Sequence, residues 1–474
     1  MPDARLPTPF DPGPLVRRAV ALLRRTGLRT GDRLLTLLPN SPATFAVQLA
    51  AMLEGIVQVP LPPDLAAGEV ATIAGDADPR AALVDVGARG RSALAALGLP
   101  VTVLDEDALA AAGPPAEPAH AWPVTRPMAY TSGTTGRRKG VTVGVSDERW
   151  GRVVVDDEHD AFDRRHGDLH LVVSPLYHSG PFRFGFVTAL LGGRVAVLPS
   201  FDARRWLDTL REVRPTSVFC VPTQLHRLLA LPDVTADDLS SLTLLAHAAA
   251  PMPVPLKERL LELAPAGSVF EFYGSTEGQF TVAPPDVWRG APGTVGRARP
   301  GRQLEIRDDG GRALETGAVG TVWVRAPDHA RWEYWRDPVR TRDVWDGDAF
   351  TVGDLGHLDG DGRLFLDGRP GDLVISGGVN VYPAEVERSL LADASIAEAV
   401  VFGVPDEEWG ERVVAAVVPH AGHTPDPDEL RERLRGELAP AKVPKRIVVV
   451  DDLPRTGTGK VRRVGLADAL GLLA

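Results

Sequence analysis

Two apolar runs, residues 33–38 and 56–61, flank a stretch that opens Ser41-Pro42 and carries Phe45, Leu49 and Met52 at helical spacing. Ser41 suits the cap and Pro42 the first turn of a helix, and Glu54-Gly55 ends it. Strand, helix and strand in that order form a βαβ unit, which demands a parallel sheet covered by helices. The same alternation continues to about residue 270, with strands expected at 169–174, 193–198 and 217–221 and a helix at 206–213. Residues 107–127, rich in Ala and Pro, read as a connector. From Thr294 onward short strands punctuated by Gly and Asp (303–307, 320–324, 364–366) predict a smaller β subdomain.

A chain of 474 residues exceeds what one core supports, so a second domain is expected. Gly368-Arg369-Pro370-Gly371-Asp372 interrupts the pattern and marks a hinge. The fold class expected is therefore α/β: a large N-terminal α/β domain with a β subdomain (1–368), plus a small mobile C-terminal α+β lid (369–474). In the lid a helix opens at Pro383 with Val386 and Leu390 inward, and its last helix carries Leu430, Leu434 and Leu438. Lys and Arg number 52 against 63 Asp and Glu, a net charge of −11, with no basic run for nucleic acid. The single Cys220 lies in an apolar run and reads as a buried thiol. With no signal-peptide pattern and no long apolar span, a cytoplasmic protein without membrane insertion is expected.

Tyr130-Thr131-Ser132-Gly133-Thr134-Thr135-Gly136-Arg137-Arg138-Lys139-Gly140 has the makings of an anion loop: glycines that free the backbone N–H groups, hydroxyl donors and basic side chains. It is not a Walker loop, because no glycine precedes Lys-Ser or Lys-Thr. Alone, such a cluster marks an ordinary turn.

With Pro175-Leu176-Tyr177-His178-Ser179-Gly180, Phe270-Glu271-Phe272-Tyr273-Gly274-Ser275-Thr276-Glu277-Gly278, Thr351-Val352-Gly353-Asp354, Gly368-Arg369, Ser376-Gly377-Gly378 to Glu387, and Leu453-Pro454-Arg455-Thr456-Gly457-Thr458-Gly459-Lys460, in this order, the chain resembles the adenylate-forming superfamily. Its members include acyl-CoA synthetases, nonribosomal-peptide adenylation domains and firefly luciferase. The resemblance implies activation of a carboxylic acid by ATP and Mg²⁺ as an acyl-adenylate, then transfer to coenzyme A. It also implies roles. Thr131, Ser132, Gly133, Thr134, Thr135, Gly136 and Lys139 hold the leaving pyrophosphate; Thr276 contacts the α-phosphate; Glu277 binds the metal. Tyr273 and Gly274 lie along the adenine, Asp354 accepts the ribose hydroxyls and Arg369 assists. Lys460 arrives with the lid to bridge carboxylate and α-phosphate, Gly377 and Gly378 admit a pantetheine arm, and His178 gates the acid pocket. The walls of that pocket are expected among Phe182, Phe184 or Phe186 and Ala248-Ala249-Ala250-Pro251, where relatives commonly have Gly-Gly-Ala-Pro.

Two positions depart from the family pattern, Arg138 where proline is usual and Gly371 where the hinge commonly has Asp or Lys. Nothing in the sequence names the acid. Adenylation of a non-carboxylate such as nitrite, loading onto a carrier-protein phosphopantetheine, and a non-catalytic nucleotide-binding module remain as alternatives.

Overall fold

The computed structural model describes residues 6–131, 139–163, 166–376, 379–406, 409–455, 461, 463 and 465–472. The βαβ unit forms as the sequence predicts: strand Arg33–Leu37, helix Pro42–Leu53 capped by the Ser41 side chain on the Thr44 amide, and strand Val57–Leu61. The two strands pair in parallel. The helix differs from the expected one-faced element, because every residue from Thr44 to Leu53 is buried. Its other side packs on helix Pro12–Arg25 and on Phe182 and Phe186, so it lies inside the core and not on its surface.

The α/β region, which reads as continuous in sequence, divides into two parallel sheets. One has four strands, in the order Val57–Leu61, Arg33–Leu37, Ala81–Val84, Val101–Val103. The other has five, in the order Val269–Glu271, Leu244–His247, Ser217–Cys220, Leu169–Val172, Arg194–Val197. Cys220 is buried there, as expected. In the second sheet the carboxyl ends of Leu169–Val172 and Val269–Glu271 lead into the loops at 175–180 and 272–278, where open α/β sheets place ligands.

Between 303 and 368 an antiparallel sheet of Gln303–Arg307, Gly320–Arg325, Ala349–Leu358, Trp345–Asp346 and Leu364–Gly368 forms the β subdomain. A separate hairpin, Ala129–Thr131 with Lys139–Thr142, gains a third strand from Glu333–Tyr334. The C-terminal sheet joins Val374–Ser376, Val379–Val381, Ile396–Asp406, Gly410–Pro419 and Arg446–Val449. It is closed by helices Pro383–Leu391 and Pro427–Glu437, with Val386, Leu390, Leu430 and Leu434 buried. Leu438 falls one residue past its helix, and a short helix, Leu466–Ala469, comes last.

Candidate active site

The hairpin brings Lys139 to the mouth of the site. Lys139 Nζ donates to the Tyr334 hydroxyl at 2.8 Å, and that hydroxyl donates to Glu277 Oε1 at 3.0 Å. Ser275 Oγ donates to Glu277 Oε2 at 2.7 Å, so both oxygens of this buried carboxylate are aimed by neighbours. Burial lowers the Lys139 ammonium's pKa and the Glu277 carboxylate opposes it. Tyr334 went unnoticed in the sequence, because Glu333-Tyr334 has no spacing that ties it to the phosphate loop. Its partners come from 195 and 57 residues away.

A second group surrounds Asp354. The Tyr273 hydroxyl donates to Asp354 Oδ2, and Arg369 Nε donates to Oδ1 at 2.6 Å. Burial, then the Asp354 charge, pushes the Tyr273 phenol well above its ordinary range, so it stays a donor. A carboxylate has about four acceptor positions; each oxygen here keeps one lone pair for a further donor such as a sugar hydroxyl. The two groups adjoin: the Arg369 charge is felt at Lys139, and the Glu277 charge at Tyr273. Gly274 is required where it stands, since a Cβ would lie 2.6 Å from the Gly278 carbonyl oxygen. Thr276 offers its carbonyl to Arg126 Nη2 at 3.4 Å.

His178 occupies the N-cap position of helix Ser179–Leu190, its ring edge-on to Tyr177 at 4.6 Å. Of the three phenylalanines on that helix, only Phe184 faces the strand ends of the second sheet. Its ring lies 5.0–5.9 Å from those of Phe162, Phe219 and Phe272, beside Ala246 and Ala248. Phe182 and Phe186 point the other way, into the core around Phe45, which leaves Phe184 as the one of the three alternatives on that side. Ala249, one residue beyond, takes φ 79°, in the left-handed region that favours glycine. Behind these strands Lys257 Nζ donates to His247 Nε2 and, at 3.3 Å, to Glu271 Oε2, all three being buried. Burial holds the His247 imidazole neutral, with its pKa well below 6.5.

Backbone pairing places Thr131 opposite Lys139. Ser132, Gly133, Thr134, Thr135, Gly136, Arg138, Gly377, Gly378 and Lys460 lie outside the described residues. Gly371 sits in a short 3-10 turn, Pro370–Asp372, where a Cβ would meet open space. Among the described residues no cluster of three or more metal-ligating side chains occurs, and no helix is long and apolar enough to cross a membrane.

The chain is similar to known enzymes. Residues 15–335 match the AMP-binding enzyme family and 385–460 its C-terminal domain. Indoleacetate–CoA ligase of Aromatoleum aromaticum is 39% identical over 342 residues, a span of 71% of this chain and 65% of that protein. Feruloyl-CoA synthase of Amycolatopsis sp. is 36% identical over 459 residues, 94% of this chain and 91% of its own. Among solved structures, the amide bond synthetase McbA of Marinactinospora thermotolerans superimposes with a TM-score of 0.87 at 31% identity, covering 97% of this chain and 94% of that one. With a family model over most of its length, relatives more than 30% identical over nearly all of it and the same two-part fold, this chain belongs to the AMP-binding, adenylate-forming enzymes.

Proposed function

We propose that this enzyme activates a carboxylic acid with ATP and passes the acyl group to the thiol of coenzyme A. The observation that supports it most is the convergence of Lys139, Tyr334 and Glu277 beside Tyr273, Asp354 and Arg369. These side chains come from separate parts of the chain and together match the needs of a bound nucleotide triphosphate.

A carboxylate oxygen of the acid attacks the α-phosphorus, the bond to the β-phosphate oxygen breaks, and pyrophosphate leaves. Catalysis of such a step is positioning and charge stabilisation. Lys139 and the loop from Thr131 to Gly136 hold the leaving group, and Thr276 orients the α-phosphate. Glu277, a hard oxygen donor held by Ser275 and Tyr334, suits Mg²⁺, which when bound neutralises charge on the triphosphate. Asp354, aimed by Tyr273 and Arg369, takes the ribose. Lys460 bridges the acid's carboxylate and the α-phosphate. In the second half-reaction a thiolate attacks the acyl carbonyl and AMP departs. Rotation about residues 368–372 exchanges Lys460 for the stretch at Gly377 and Gly378, with His178 opening the acid pocket. We place the domain boundary there, between 368 and 369.

Substrate-dependent pyrophosphate exchange over a panel of aryl and alkyl acids, with nitrite included, tests the first half. AMP release with and without coenzyme A tests the second. Exchange with at least one acid, lost by at least about 100-fold in Lys460→Ala while ATP still binds, is the expected result. Exchange at an unchanged rate in that variant removes Lys460 from the mechanism, and exchange with nitrite alone replaces the carboxylate.

A further inference from the structure

Behind Thr276 the protein encloses more positive charge than it neutralises. Arg299, fully buried, donates from Nη1 to Glu158 Oε1 at 2.8 Å and also to Gln279, and Arg302 donates to Asp157 at 2.9 Å. Asp157 is thus committed, while Glu158 meets its guanidinium partners through Oε1 and leaves Oε2 without a hydrogen-bond partner among the described residues. Arg183, on helix Ser179–Leu190 next to Phe184, reaches the same Glu158 oxygen at 2.9 Å, but as an ion pair without hydrogen-bond geometry. Arg126, in the run-up to the phosphate hairpin, has one hydrogen bond among the described residues, the 3.4 Å bond to the Thr276 carbonyl. A guanidinium carries five donors, so most of its capacity is unused.

Both side chains are deeply enclosed by protein, yet neither is sealed: Arg183 keeps 20% of its side-chain surface, and Arg126 is only half-buried. Burial, followed by the like charge of Arg183, pushes the Arg126 pKa down to about 10, with Glu277 opposing. An under-neutralised cation pair in such a place is costly unless an anion joins it.

Resting on the adenylation reading above, we propose that Arg126 and Arg183 bind a second carboxylate of the acid substrate, and that the enzyme acts on short dicarboxylic acids. The reacting carboxylate belongs beside the α-phosphate that Thr276 orients, and Arg126 touches the carbonyl of that same residue, which limits the spacer between the two acid groups to a few carbons. The rings of Phe162, Phe184, Phe219 and Phe272, in mutual contact, leave little room for a long or bulky tail beside them.

Pyrophosphate exchange is measured with straight-chain diacids of three to five carbons and with the monoacids of equal length. The diacid is expected to lead its matched monoacid in kcat/KM by about 30-fold or more, the discrimination a buried charge pair supports. Arg126→Met collapses that ratio, chiefly through a higher KM for the diacid, and Arg126→Lys restores part of it. Arg183→Met gives the same collapse by an independent route. Monoacids that equal or exceed the diacids overturn the proposal while leaving adenylation intact. An Arg126→Met variant that loses both substrates equally, with its ratio unchanged, overturns it too and makes Arg126 a support for the Thr276 loop. Absence of exchange with every carboxylic acid, these and the broader panel, overturns the adenylation reading itself and the proposal with it.

Discussion

Tyr334 stands between an ammonium and a carboxylate, accepting from Lys139 and donating to Glu277. Without the phenol the two charges attract directly across the space that the proposed function assigns to a triphosphate and its metal. Hydrogen bonds to charged groups are worth about 1.5–3 kcal/mol each. Tyr334→Phe is accordingly expected to slow pyrophosphate exchange by about 10-fold or more in a chain that still folds, because the ring's contacts with Trp332 remain. Exchange at the original rate contradicts the role. Asp354 is held in the same manner, each carboxylate oxygen having one protein donor and spare lone pairs to take a ligand.

At the scale of elements, the loop leaving strand Leu244–His247 carries the clearest strain. Ala249 holds φ 79°, a conformation that costs an L-residue about 1–2 kcal/mol. A glycine there relieves that cost but adds roughly 0.5–1 kcal/mol of unfolded-state entropy. Ala249→Gly should therefore raise stability by about 0.5–1 kcal/mol, read from urea midpoints at constant m; a lowered midpoint contradicts the assignment of strain. Much of this fold could be read from sequence, because strands such as Leu244–His247 and Ser217–Cys220 are buried apolar runs and helix starts such as Ser41-Pro42 carry their own caps. The motif residues Glu277, Asp354 and Lys139 were legible for a different reason: they sit in short strings whose chemistry demands particular residues. Tyr334, Arg126 and Arg183 were not, since each acts through contacts outside its own stretch of sequence and belongs to no local pattern. Nor could period alone show that helix Pro42–Leu53 is covered on all sides.

For the molecule as a whole, imidazoles set an acid limit. His247 is buried neutral behind the second sheet. His226, on helix Pro222–Leu229, lies 5.7 Å ring to ring from His420, which follows the lid strand Gly410–Pro419. Burial lowers the His226 pKa and the His420 charge lowers it further, with Glu398 opposing; burial and His423 lower that of His420. Each folded-state pKa thus lies below the value of 6.5 for a free imidazole. Above that pH none is charged in either state, and below it the unfolded chain binds more protons. Stability consequently falls as pH drops below 6.5, by up to about 1.4 kcal/mol per pH unit for each imidazole that stays neutral. Urea denaturation at pH 7 and pH 5 should show the loss, and equal stability at the two values contradicts it.

The hairpin that presents Lys139 is incomplete without strand Glu333–Tyr334, which pairs with Lys139–Thr142 and is made almost two hundred residues later. During synthesis, therefore, the two parallel sheets can be complete in sequence while the phosphate-binding edge still lacks its third strand. Closing so long a loop is slow relative to local pairing. On the function proposed above, nucleotide affinity is acquired late on the ribosome, after nearly the whole N-terminal region has emerged.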